Sequence, residues 1–207
     1  MKIRPVILCG GEGIRLWPKS KNNQAKQFID FGGWTLFEKT LERIKNPLFD
    51  YPIISTNAKY LKNVKFFLKK KGFKKHKIIL EPLKKNTAPA ILASSLLTLK
   101  DNKWEQPLIF LTSDHLIEKK RIFYKEIKKN MNKLDDKNIF IFGAKPTFPS
   151  SQYGYFLTEK TKNNINRVSK FIEKPNYLNA KKIIKMNGYW NTGMFFLKTP
   201  SIIHNFF

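Results

Sequence analysis

Cysteine is almost missing from this sequence. Cys9 stands alone in 207 residues, which excludes a disulfide framework and any cysteine-cluster zinc or iron–sulfur site. A lone thiol fits a reducing compartment, and cytoplasm is the simplest location. Long apolar runs are also missing. None approaches the roughly 18 residues of a membrane span, and MKIRPVILCGG breaks too early for the apolar core of a secretory signal. A soluble, unexported chain with no membrane partner is expected. Acidic residues are few, 15 against 40 basic ones, for a net charge of +25. Such an excess attracts phosphate-bearing partners and, at low salt, any polyanion. Arginine, the usual fork for bases and phosphates, is scarce among the basic residues. The lysines are spread along the chain, and Lys69-Lys70-Lys71 and Lys128-Lys129 fall where helix exteriors are expected. Solvated faces are therefore favoured over a specific nucleic-acid surface.

What is present is core-forming material, 42% hydrophobic and 14% aromatic, enough for a substantial core without a metal or disulfide staple. Ile3–Leu8 reads as a buried strand that stops at Gly10-Gly11-Glu12-Gly13. Leu36, Leu41 and Ile44 recur at helical spacing, Pro52–Asn57 is strand-like, and Leu61, Val64, Phe67 and Leu68 mark a helix ending before Gly72. Lys77–Glu81 predicts a strand, Thr87–Leu99 a helix, Leu108–Leu111 a strand, Ile122–Leu134 a helix and Ile139–Phe142 a strand. This alternation predicts an α/β fold, a mostly parallel, Rossmann-like sheet with helices on both faces. Beyond Gly143 the pattern shortens to Tyr153–Thr158, Arg167–Glu173 and Trp190–Leu197, with a helix near Ala180–Met186, which suggests a hairpin extension. With no repeat or linker, one continuous domain over residues 1–207 is expected. Ser201–Phe207 reads as the opening of a further helix.

In an open α/β sheet, ligands sit outside the carboxyl ends of the strands. Those ends carry Gly10–Arg15, Glu81–Thr87, Thr112–His115 and Glu173–Pro175. Glycines let backbone N–H groups approach oxygen anions, and Arg15 can add a forked, charged donor for phosphate. The loop lacks the Gly-Lys-Ser/Thr ending of a P-loop and the third glycine of a dinucleotide fingerprint, so those two grips are disfavoured. Asp114, following a buried apolar strand, would be a costly unpaired charge, yet it is a hard oxygen ligand suited to Mg²⁺, with a helix N-cap as the alternative. Ser113 and His115 flank it on what reads as a strand, where consecutive residues point to opposite sides and so cannot assemble a hydrolytic triad locally. Asn86 and Thr87 can contact a purine edge or cap the next helix, Thr87 mainly capping. His76 and His204 lie in unrelated segments and imply no ligand role.

The segments Leu8–Ser20 and Lys26-Gln27-Phe28 resemble the opening of the mannose-1-phosphate guanylyltransferase family. The resemblance continues through Glu81-Pro82, Lys85-Asn86-Thr87-Ala88-Pro89-Ala90, Ser113-Asp114-His115, Tyr153-Gly154-Tyr155, Phe171–Pro175 and Trp190–Phe195. It implies transfer of GMP from GTP to mannose 1-phosphate, with Mg²⁺ as cofactor and Arg15, Lys26 and Asp114 as catalytic residues, Asp114 holding the metal. It implies nucleotide contacts from Leu8, Gly10, Gly11, Gly13, Glu81, Asn86 and Thr87. Sugar-phosphate contacts are implied from Gly154, Glu173, Lys174, Asn191 and Thr192. Trp17, Trp190 and Phe195 are read as packing supports. Two departures occur: Ile14 replaces a usual threonine, removing a hydroxyl contact to phosphate, and Ala25 replaces a usual proline, loosening the loop of Lys26. Family members continue past this point with a further metal-binding aspartate that has no counterpart before Phe207. The resemblance therefore implies a C-terminally truncated domain. An inactive nucleotide-binding fragment or regulatory subunit, or a transferase for a related hexose 1-phosphate, is the alternative, and a homo-oligomer stays open.

Overall fold

The structure, a computed structural model, describes residues 1–11, 25–83, 86–161 and 165–206. Contacts divide the chain into two compact units, Met1–Phe140 with Phe195–Phe207, and Ile141–Met194.

The larger unit is built on strands β1 (Arg4–Cys9), β2 (Ile53–Asn57), β3 (Lys77–Glu81) and β4 (Pro107–Thr112). They pair in parallel, Val6 opposite Ile53 and Phe110, and Ile54 opposite Ile78. The end of β8 (Tyr189–Lys198) runs antiparallel to β4, Leu197 facing Leu108. The expected mostly parallel sheet is thus observed. Strand residues of both parities are fully buried, Val6, Ile53, Leu108 and Phe110 on one face and Ile7, Ile54, Ile109 and Leu111 on the other. That explains why these strands read as unbroken apolar runs. The first set packs with Ile91 of α3 (Ala88–Lys100) and Ile202 of α6 (Thr199–Phe206).

Two further helices show how local sequence sets the ends of elements. Helix α1 (Leu36–Ile44) opens with a capping box: the Glu38 amide donates to Thr35 Oγ1 at 3.1 Å, and the Thr35 amide donates to Glu38 Oε2 at 2.9 Å. Its Phe37, Leu41 and Ile44 are buried at helical spacing. Glu38 also pairs with Lys70 at 2.8 Å, tying α1 to α2 (Leu61–Lys70). Helix α2 stops where Gly72 takes φ +70° and the Phe73 amide donates to the Leu68 carbonyl. Helix α4 (Lys120–Met131) follows β4, and Lys69, Lys70, Lys128 and Lys129 lie exposed on helix exteriors as expected.

At the amino ends of the parallel strands the fully buried Arg4 donates to Asp50 at 3.2 Å, lies 3.7 Å from Asp101 and stacks on Tyr51 with its guanidinium carbon 3.8 Å from the ring centre. Lys77 pairs with Asp101, and Asp50 accepts further from Lys103 and Gln106, each at 2.9 Å. Burial alone would raise the Asp50 carboxyl, but Gln106, Lys103, the Tyr51 amide and Arg4 together hold it well below the usual carboxylate range.

The smaller unit contains β5 (Phe140–Ala144), the antiparallel hairpin of β6 (Tyr155–Lys160) and β7 (Asn166–Ile172), helix α5 (Tyr177–Lys185) and the first half of β8. Tyr155 faces Trp190 across β6 and β8. Their rings pack with Ala180 and Ile183 of α5, so Trp190 serves as core. Phe195, in the larger unit, packs against its main core cluster. Trp17 lies outside the described residues. Among the described residues no helix is long and apolar enough to cross a membrane.

Because the folded Asp50 carboxyl is depressed, its stabilising effect is complete above the unfolded carboxylate range and fades as pH falls below about 4. Asp50→Asn should lose about 3 kcal/mol at pH 7, since it removes the nearer of the two carboxylates around a buried guanidinium. The difference between the urea midpoints of wild type and variant should narrow steadily as pH falls from about 4 to about 2. A constant difference from pH 7 to pH 2 would contradict this account.

Candidate active site

At the carboxyl ends of the parallel strands the chain must leave the sheet, and its polar groups collect there. After β1 the backbone enters Gly10 and Gly11. A Cβ on Gly10 would sit 3.6 Å from Glu81 Oε1, so the Glu81 carboxylate at the end of β3 lies against this turn. Ser55 of β2 donates to the same oxygen at 2.7 Å and the Asn57 amide group reaches the Glu81 carbonyl at 3.4 Å. Glu81 is thereby aimed across the strand ends as an acceptor beside an open glycine turn. Leu8 contributes through its backbone, its carbonyl accepting from the Ser113 amide at 3.2 Å.

Lys26 stands on a short 3-10 turn, Lys26–Phe28, whose other two side chains are its anchors. Phe28 is buried among Phe37, Tyr60 and Phe67 with ring centres 5.4 to 5.9 Å away. Gln27 is buried, and its amide donates to the Gly11 carbonyl at 3.4 Å and contacts Cys9 Sγ at 3.7 Å. With its neighbours pinned, Lys26 reaches Asp114 at 3.0 Å, both side chains about one-third exposed. Burial pushes the Cys9 thiol up to about 12, so it is an inert wall of the site.

Asp114 and its neighbours lie in a turn beyond β4, so the expectation that Ser113 and His115 sit on a strand is corrected. Asp114 does not cap α4, whose N-cap is Lys119. The turn is held from below by Arg43 of α1, which is buried and donates to the His115 carbonyl at 2.6 Å and to Thr40 Oγ1 at 3.1 Å. Burial, followed by smaller effects of neighbouring charges, holds the His115 imidazole below its usual range.

The expected capping role of Thr87 is also corrected. It occupies the N-cap of α3, but its side chain makes no capping hydrogen bond. Its backbone is right-handed helical, φ −90° and ψ −31°, where a capping residue is extended, and Pro89 at the second helical position has no N–H to offer. Asn86 precedes it, exposed, with φ +57°. Ala25 holds φ −67° and ψ 140° and is buried, so the turn before Lys26 keeps the backbone a proline would impose. Gly13, Ile14 and Arg15 lie outside the described residues.

The smaller unit gathers a second group. A Cβ on Gly154 would come within 2.8 Å of Glu173 Oε2 and 3.0 Å of the Phe171 ring, so a larger residue there would have to displace the Glu173 carboxylate. The Gly154 carbonyl accepts from the Asn191 amide at 2.8 Å, and Glu173 pairs with Lys174 at 2.7 Å. Gly154 is thus bonded to Asn191, and Glu173, close beside it, to Lys174. The Thr192 hydroxyl donates to the Phe142 carbonyl at 2.7 Å. Lys174 adopts φ +41°, an uncommon conformation for a side-chain-bearing residue.

Ser55, Gln27 and Arg43 hold this geometry and were not singled out from sequence. The signals were available: a serine ending an apolar strand, a glutamine inside Lys26–Phe28, and a charge on the buried face of α1. Among the described residues no group of three or more His, Cys, Asp and Glu side chains could hold a metal alone. A lone, partly exposed carboxylate such as Asp114 suits a hard cation that keeps water or phosphate oxygens as its other ligands.

The fold and this arrangement of strand-end groups define a class, and comparison with known proteins agrees. The Nucleotidyl transferase family profile matches residues 4–203, and the chain belongs to that family. The alginate biosynthesis protein AlgA of Pseudomonas aeruginosa is 32% identical over 199 residues, 94% of this chain and 41% of that protein. A mannose-1-phosphate guanylyltransferase of Salmonella montevideo is 34% identical over 210 residues, 97% of this chain and 44% of that protein. The chain therefore spans about two fifths of the length of these curated relatives. A crystal structure described as mannose-1-phosphate geranyltransferase from Thermus thermophilus superposes with a TM-score of 0.85 at 28% identity, covering 99% of this chain and 59% of that one.

Since Ala25 already has proline geometry, Ala25→Pro should stabilise the fold by about 0.4–1 kcal/mol. Differential scanning calorimetry should show a rise of about 1–4 °C. A lowered melting temperature would show that the turn needs the alanine amide.

Proposed function

We propose that this domain transfers GMP from GTP to mannose 1-phosphate, giving GDP-mannose and pyrophosphate. The observation that carries the reading is the Lys26–Asp114 pair, a cation and a carboxylate 3.0 Å apart beside the glycine turn of β1. Such a pair can exchange partners when a metal-bound triphosphate enters, the ammonium turning to phosphate oxygens and the carboxylate to the cation. The resemblance adds Arg15 and Gly13 to the triphosphate side, and Glu81, Asn86 and Thr87 to the nucleoside. In the smaller unit Gly154, Glu173, Asn191 and Thr192 would receive the hexose, and Lys174 its phosphate.

The reaction balances without a covalent enzyme intermediate. An oxygen of the sugar phosphate forms a bond to the α-phosphorus of GTP while the bond from that phosphorus to the α,β-bridging oxygen breaks, its electron pair leaving on pyrophosphate. Catalysis then consists of positioning and charge neutralisation, supplied by Lys26, Arg15 and Lys174. Asp114 would hold Mg²⁺, which when bound draws off charge from the phosphate oxygens. Substrates of this kind and a single buried thiol support a cytoplasmic location.

A pyrophosphate-release assay with GTP, Mg²⁺ and mannose 1-phosphate tests the proposal. Release should require the sugar phosphate and prefer GTP to other nucleoside triphosphates. Asp114→Asn and Lys26→Met should each lower kcat by about 10²-fold or more. Gly154→Ala, which sets a methyl against the Glu173 carboxylate, should raise KM for mannose 1-phosphate by about tenfold and leave KM for GTP within about twofold. Binding of GTP without sugar-dependent release would favour the nucleotide-binding subunit and overturn the transfer reading.

A further inference from the structure

We propose that an open groove on the outer face of α4 binds a linear polyphosphate anion. The groove, about 610 Å³, is lined by Asn46, Arg121, Tyr124, Lys125, Lys128 and Lys129, all within the larger unit. On a helix turning about 100° per residue, Arg121, Lys125, Lys128 and Lys129 share a sector of about 100°, opposite the buried Phe123 and Ile127. From Arg121 to Lys129 the axis advances about 12 Å. Glu126, the sole acid in α4, lies outside that sector.

This row of cations works against the helix that carries it. Arg121–Lys125 and Lys125–Lys129 are like charges one turn apart, which destabilise a helix. The first turn of α4 has no acidic residue to meet the positive end of the helix dipole. Some cations elsewhere are tied off, Lys70 on Glu38, Lys71 on Glu42, Lys103 on Asp50 and Lys198 on Glu105, whereas Lys62, Lys65 and Lys69 of α2 pair with no described carboxylate but line no such groove of four cations. None of the four groove cations makes such a pair with a described carboxylate. A concave surface with four unpaired cations and a polar edge from Asn46 is complementary to a compact, highly charged anion. A chain of condensed phosphates has that charge density and fits both the row and the volume. Nucleic acid is disfavoured because only Arg121 supplies a guanidinium fork. The single aromatic ring, Tyr124, is pinned by its hydroxyl donating to the Arg43 carbonyl at 2.7 Å.

None of these residues belongs to either group assembled for the transfer reaction, so the two proposals fail separately. Titration calorimetry with inorganic tripolyphosphate on the whole chain, at about 0.15 M salt, compares wild type with two variants of equal charge. The first is Lys125→Gln, Lys128→Gln, Lys129→Gln. The second is Lys62→Gln, Lys65→Gln, Lys69→Gln, on the exposed face of α2. The α4 variant should bind at least about tenfold more weakly and the α2 variant within about twofold of wild type. Equal weakening in both assigns the binding to bulk charge and overturns the proposal, as does no binding by wild type. Tripolyphosphate lost in Lys26→Met but kept in the α4 variant belongs to the strand-end site and overturns it too. So does an α4 variant that loses only duplex DNA, which would mark a nucleic-acid surface.

Discussion

Burial of β1, β2 and β4 on both faces is the constraint from which the rest of the larger unit follows. A strand such as Ile53–Asn57 or Pro107–Thr112 has no solvent face on which to place polarity, so polar groups are driven to its two ends. The ends solve the problem differently. At the amino ends the central charges have several partners: Asp50 receives Arg4, Lys103 and Gln106 at 2.9–3.2 Å, and Arg4 is also stacked against Tyr51. That end is closed by its own side chains. At the carboxyl ends Asp114 forms an ion pair only with Lys26 among the described residues, and both stay partly exposed. Charges satisfied once, beside an open glycine turn, can change partners at modest cost, which is what a ligand requires.

That contrast also shows what the sequence could and could not disclose. Periodicity located β3 at Lys77–Glu81 with both ends correct, because the strand is bounded by sharp changes in residue type. It located the carboxyl-end motifs because they interrupt apolar runs. It could not disclose who holds them. Ser55 and Glu81 are 26 residues apart and Arg43 and His115 are 72 apart, and such pairings exist only after the sheet is assembled. The error at Thr87 has the same origin. Threonine before an Ala-Pro-Ala helix looks like a cap, yet capping requires an extended backbone and an amide at the right position, and Pro89 removes one such amide. Residue type alone therefore overstates the number of caps.

In the smaller unit a glycine and a strained lysine carry more information than the polar residues around them. At Gly154 the backbone passes against the Glu173 carboxylate, and an added side chain would push that carboxylate from its place. Lys174, next in sequence to that carboxylate, holds φ +41°, a conformation that costs a side-chain-bearing residue about 1–2 kcal/mol. Pro175 restricts it further by disfavouring the right-handed helical alternative. A strained backbone persists only where its surroundings fix it. Here the Glu173–Lys174 ion pair and the crowded Gly154 turn lie beside it.

The same logic bears on the net charge of +25. At physiological salt the field of an isolated exposed lysine fades within about 8 Å, so total charge says little about what is bound. Local arrangement decides. Lys70 and Lys71 answer Glu38 and Glu42 and hold two helices together. Lys26 answers Asp114 and can be released to another anion. Arg121, Lys125, Lys128 and Lys129 answer no described carboxylate while crowding one another on a single helix face. Three uses of one residue chemistry are thus separated by what stands within about 4 Å of each cationic group. Composition reports their sum, and only the folded chain reports the partners.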